Sequence, residues 1–191
     1  MDRINKRESY QNLSRQALLV LFLIISTAGS IGWIISGVFH ELGHALSVQA
    51  FGGVITDLQP FVLFGAPHIA YIGSFTEIQK AIISVSGAGF VFLIGILALI
   101  LFPFEKVNHR VRLSLAIGIV PFIAQLISFI ILPILHLLGL RIHDDVINFI
   151  ELSKLNPFWI SLIASMIAIL GVLIFIKHTR IIPTIQAITA K

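Results

Sequence analysis

Residues 17–51 read ALLVLFLIISTAGSIGWIISGVFHELGHALSVQAF, and the fold follows from how little polarity that stretch contains. Residues 17–39 carry no charge and meet the length of about 20 residues that a helix needs to cross a bilayer. The run is too long for a signal-peptide core, so we read it as a retained span. At its far end stand His40, Glu41 and His44, in the pattern His-Glu-Leu-Gly-His. On a helix, His40 and His44 project about 40° apart, with Glu41 about 100° from His40. Two imidazoles so placed can hold one metal ion, and the carboxylate can take a proton from water bound to it. Ionisable residues in a spanning segment are costly, and their default reading is function.

Composition sets the class. Hydrophobic residues make up 57% of the chain and charged residues 12%, against about 25% charged in soluble domains. Mean hydropathy is +1.01. These values imply an integral membrane protein. The absence of cysteine excludes disulfides and thiolate metal sites, so any metal must be held by His, Asp or Glu. The net charge of +4 comes from Lys and Arg dispersed among apolar spans, which argues for membrane topology and against a nucleic-acid partner.

Working outward, residues 1–16 are polar, the first helix should stop at Gly52-Gly53, and further spans are expected at about 78–102, 113–138 and 157–176. Pro121 and Pro133 are expected to kink the third span. Between the first two spans, residues 53–77 alternate short apolar runs with Gln59-Pro60, Gly65-Ala66-Pro67 and Gly73-Ser74. That punctuation suits strands or a re-entrant hairpin. The expected fold is therefore an all-α integral membrane protein of about four transmembrane helices, with a short strand-like or re-entrant segment after the first. We divide it into the N-terminal segment 1–16, one membrane-embedded domain over 17–178 and a C-terminal tail 179–191. Gly29, Gly32, Gly37, Gly87, Gly89 and Gly95 suit close helix approach. Segment 54–75 reads either as an open strand edge for a substrate or as a buried plug. Counting spans brings His40 and His44 to the same membrane face as His136, Asp144 and Asp145.

These features resemble the site-2 protease family of intramembrane zinc metalloproteases. The likeness is carried by Phe39-His40-Glu41-Leu42-Gly43-His44-Ala45 and by Ser86-Gly87-Ala88-Gly89 early in the next span, similar to that family's small-residue motif. It is carried also by Asp144-Asp145-Val146-Ile147-Asn148-Phe149 after a further span. It covers roughly residues 37–160 and is literal at the first motif, looser at the other two. The resemblance implies a zinc-dependent endopeptidase with one Zn2+ per chain. Its metal ligands would be His40, His44 and an aspartate, with Glu41 as the catalytic proton carrier.

A catalytic zinc takes three protein ligands. The candidates for the third are Asp144, Asp145, His143, His136, His68 and Asp57. Adjacent helical residues point about 100° apart, so Asp144 and Asp145 should not both ligate one ion. The resemblance favours Asp145, which begins an Asp-Val-x-x-Phe pattern. Asp144 remains open as ligand or as partner of a histidine ring, and either aspartate could instead cap a helix over 146–152. The expected substrate is a membrane protein or a signal-peptide remnant entering from the lipid bilayer. A metal-binding chaperone or ion carrier is the alternative. Of the 13 Lys and Arg, only Lys80, Arg141 and Lys154 lie on the motif face, which predicts cytoplasmic termini. The expected location is a bacterial cell membrane.

Overall fold

A computed structural model describes residues 15–60, 67–140 and 142–189. The polar start over 1–14, the Gly65-Ala66 turn and Arg141 lie outside the described residues. Helix α1 (Arg15–Ala50) is followed by strands β1 (Val54–Gln59) and β2 (His68–Ile72), then α2 (Glu77–Leu101) and a 3-10 turn (Phe104–Lys106). Helices α3 (His109–Ala124), α4 (Leu126–Leu137), α5 (Asp145–Ser153), α6 (Pro157–Thr179) and α7 (Ile181–Thr189) complete the chain. Among the described residues, four helical stretches are long and apolar enough to span a membrane: Gln16–Ala50, Glu77–Leu101, His109–Leu137 and Pro157–Thr179. The chain is thus a helical multi-pass membrane protein with a small two-stranded sheet after the first span.

Local chemistry sets the ends of these elements. Gly52 sits at φ +80, its N–H donates to the Gln49 carbonyl at 3.0 Å, and the Gly53 N–H donates to the Val48 carbonyl at 2.9 Å. This paired closure satisfies the last carbonyls of α1 and turns the chain directly into β1. Thr76 and Gln79 cap α2 reciprocally, each side chain accepting from the other's backbone N–H. The third span is interrupted at Gln125, one turn past Pro121, whereas α4 runs through Pro133 without a break. The expectation of two kinks therefore reduces to one interruption. The C-terminal segment, to which the sequence reading assigned no element, forms α7 and packs on α3 and α1.

Helix α1 packs against α2, α3 and both strands, α4 against α6, and the short α5 against α2 and α4. The closest approach of α1 and α3 is at Gly32, where a Cβ would collide with the Gly118 backbone. A buried cluster of Ala88, Phe129, Val146, Ile147, Ile150, Ile160 and Ala164 seats α5 in the groove between α2, α4 and α6. Large apolar residues such as Phe22, Trp33, Met166 and Leu173 lie exposed on the outside, as lipid-facing surfaces should. Two ends result. The C-terminus of α1, the hairpin, α5 and the start of α6 gather at one; the 3-10 turn, the start of α3 and α7 gather at the other.

Candidate metal centre

His40 and His44 stand on the last turns of α1, where their spacing of four residues places both rings on the side facing α2. Asp145 is the first residue of α5. Its neighbour Asp144 is the helix cap, accepting the Val146 N–H at 2.8 Å. That bond separates the two aspartates: the cap turns Asp144 back onto its own backbone and leaves the Asp145 carboxylate to point at the histidines.

Asp145 Oδ2 lies 3.1 Å from His44 Nε2 and 3.3 Å from His40 Nε2, and the two Nε2 atoms are 3.0 Å apart. One ligand atom from each of the three residues falls within 4.8 Å of the others. His44 Nδ1 is 2.6 Å from the Ile83 carbonyl oxygen, which can only accept, so Nδ1–H donates there. The Ser86 hydroxyl donates to the same oxygen at 2.6 Å. With its proton on Nδ1, His44 turns the Nε2 lone pair toward Asp145 and His40. Three electron-pair donors at such distances repel unless a proton or a metal ion sits among them.

The space for an ion is built by Gly87 on α2. A Cβ there would fall onto His44 Nε2 and within 2.7 Å of His40 Nε2. Gly43 lets the helices approach this closely, because its own Cβ would meet Ser86 O at 2.5 Å. The donor set of two imidazoles and a carboxylate, the tautomer fixed from behind and the notch left by Gly87 all fit a metal ion. His40, His44 and Asp145 therefore form a group that could hold one.

Exposure shows where this centre opens. The His44 side chain is 6% exposed and that of Asp145 43%. Burial alone would raise the Asp145 pKa, but where a proton rather than a metal ion sits among the three groups, hydrogen bonds and charge from protonated His40 and His44 outweigh it. They hold the carboxyl well below the usual carboxylate range, in the ionised form a metal ligand takes. A cleft of about 390 Å³ runs from the centre to the hairpin, lined by Glu41, His44, Asp145, Ile69, Tyr71 and Asn148 among others.

The other candidates fall elsewhere. His68 pairs with Asp57 across the hairpin at 3.3 Å and reaches the rim of the cleft. His143 lines the cleft outside the three-residue group, and His136 lines a separate cavity with Glu151. Of the glycines singled out by sequence, Gly87 touches the centre, whereas a Cβ at Gly89 would meet nothing within 4 Å. Sequence reasoning missed Ile83 and Tyr71. A backbone carbonyl leaves no signature in side-chain pattern, and one strand tyrosine is indistinguishable from a membrane-interface aromatic. No protein-family model, curated protein or solved structure matches the chain.

Proposed function

We propose that the chain is a zinc-dependent intramembrane endopeptidase, akin to the site-2 protease family that its motifs resemble. The observation that carries this reading is the convergence of His40, His44 and Asp145 at the head of a cleft that Glu41 also lines. Two histidines and one carboxylate are a donor set of catalytic Zn2+, which keeps a fourth position open. When bound, the ion would polarise the scissile carbonyl and make water a competent nucleophile near neutral pH.

The chain's own residues supply the rest. His44, tethered to Ile83, and His40 and Asp145 would hold the ion. Glu41 accepts a proton as the water oxygen bonds to the carbonyl carbon, then delivers it to the leaving amine as the C–N bond breaks. A peptide bond inside an intact helix is engaged in the helical hydrogen-bond ladder and wrapped by side chains, so an extended segment is the form open to attack. The substrate is a transmembrane segment or signal-peptide remnant of a membrane protein that unwinds locally on entry. The basic residues at the end away from the site support cytoplasmic termini, in a bacterial cell membrane.

The test is incubation of the purified protein with a mixed set of single-span peptides, with and without a zinc chelator. Internal cleavage that the chelator abolishes is expected. Glu41→Gln should bind zinc normally and cleave at least about 10²-fold more slowly. Metal uptake with no cleavage across a broad peptide set would indicate a non-proteolytic metal-binding protein instead.

A further inference from the structure

The cleft has two walls of different origin. One carries Glu41, His44 and Asp145, on α1 and α5, with Ile83 and Ser84 of α2 beside them. The other is the hairpin, from which Pro67, His68, Ile69 and Tyr71 line the cleft while Ala70 and Ile72 do not; Ile69 and Tyr71, two apart, share one face of β2. Tyr71 brings a phenolic O–H, a hydrogen-bond donor at any pH below about 10.

Its ring is held from behind. Phe75 meets Tyr71 edge-on, with centroids 5.8 Å apart and planes at 78°. Phe75 in turn sits between Gly53 and Gly73 at the base of the hairpin: a Cβ on Gly53 would strike its Cζ, and one on Gly73 would come within 2.5 Å of the same atom. The strands are paired next to this point, Val54 opposite Ile72, so the two glycines form a slot and Phe75 fills it. The slot sets Phe75, and Phe75 sets the tilt of the Tyr71 ring.

We propose that the Tyr71 hydroxyl is a catalytic hydrogen-bond donor to the substrate carbonyl oxygen, binding it more strongly as that oxygen gains negative charge and the carbon becomes tetrahedral. No proton is transferred to the substrate by this group; Glu41 carries the proton. The remaining polar groups of the cleft are less suited. His68 is engaged by Asp57, the Ser84 hydroxyl donates to the Lys80 carbonyl of its own helix, and His143 lies in the loop ahead of α5. Asn148 rises from the helix that carries Asp145, one turn on, and so shares a wall with the ligand. Tyr71 lines the cleft from the hairpin, a different element from those that carry the ligands and Glu41.

This inference rests on the endopeptidase reading, and Tyr71→Phe separates the two. The substitution keeps the ring and its contact with Phe75 and removes one oxygen. Zinc content should equal that of the wild type, KM should change little, and kcat should fall about 10²-fold, the scale of one lost oxyanion donor. Binding gives a second readout. Calorimetry should show that the wild type prefers a phosphinic peptide, a tetrahedral mimic, over the matching planar amide measured in the Glu41→Gln background. Tyr71→Phe should shrink that preference about 10²-fold, which loss of a merely structural tyrosine would not do. If wild type cleaves and Tyr71→Phe matches it in kcat and in this preference, the inference is overturned alone and Tyr71 is only an interface anchor. Absence of cleavage by the wild type overturns both readings.

Discussion

The two ends of the bundle use charged residues in opposite ways. At the hairpin end His40, His44 and Asp145 turn toward one another, with the His44 side chain 6% exposed and donor atoms 3.0–3.3 Å apart. At the other end Arg112 donates to the carbonyls of Phe104, Glu105 and Val107, and Arg180 meets Glu105 at 2.6 Å with both side chains largely exposed. There the charges cap backbone and face water, where ion pairs contribute little. A partly buried convergence of lone pairs is costly unless a proton or an ion joins it. Polarity at one end thus caps backbone and meets water, and at the other it gathers a group that could hold a metal ion.

The comparison breaks most visibly if a substitution at the hairpin end leaves the metal in place. Asp145→Ala should lose bound zinc and cleavage as severely as His44→Ala, since two imidazoles leave the ion underligated. Arg180→Gln at the far end should lose neither. Metal analysis of the three purified variants decides it. Full zinc in Asp145→Ala would show that α5 does not close the site.

A pair of glycines two residues apart sharpens the point. Gly87→Ala places a methyl group on both Nε2 atoms, so the rings must shift and zinc affinity should fall, by an amount comparable with the 10–100-fold loss seen when supporting residues of a metal site are altered. Gly89→Ala points a methyl group into open space on the same helix and should bind zinc like the wild type. Equal affinities for the two variants would mean that α2 does not shape the centre.

Asp144→Ala should do less again. The cap bond to the Val146 N–H is lost, costing about 0.5–2 kcal/mol of stability. Zinc binding should weaken only as far as the first turn of α5 loosens around Asp145. Asp144→Asn, whose side-chain oxygen can still accept the bond, should restore both. Thermal denaturation with and without zinc measures the two effects together.

Much of this was legible in the sequence because membrane spans are set by length and apolarity, and those are local properties. The four spans and the stop at Gly52-Gly53 could be read directly, and the punctuation of 53–77 narrowed that stretch to strands or a re-entrant hairpin. His40 and His44 were readable for the same reason, being one turn apart on one helix. Asp145 was legible only through a span count combined with a resemblance, since it meets His44 across 101 residues of chain. Which aspartate faces the histidines turned on the cap bond of Asp144, a contest between neighbours that pattern alone leaves open. Ile83, Gly87 in contact with the rings, and Tyr71 depend on how α2 and the hairpin pack on α1. The interruption at Gln125 shows the same limit: two prolines both permit a break, and packing selected a position one turn beyond the first.

The smallest effect belongs to the far end, and it tests whether that end is as passive as its exposure implies. Arg180 and Glu105 tie the C-terminus of α6 to the 3-10 turn, with side chains 59% and 67% exposed. Water screens such a pair, and holding two long side chains together costs conformational entropy, so a coupling of about 0.2–1 kcal/mol is expected. Arg180 also occupies a left-handed conformation at φ +48, so replacing it perturbs the backbone as well as the pair. A double-mutant cycle of Arg180→Gln and Glu105→Gln cancels that term and isolates the pair. Denaturation in detergent should give a coupling in this range at low salt that shrinks at high salt, with zinc content unchanged throughout. A coupling of several kcal/mol, or loss of zinc in either variant, would show that the two ends are mechanically linked and that the division of labour between them is false.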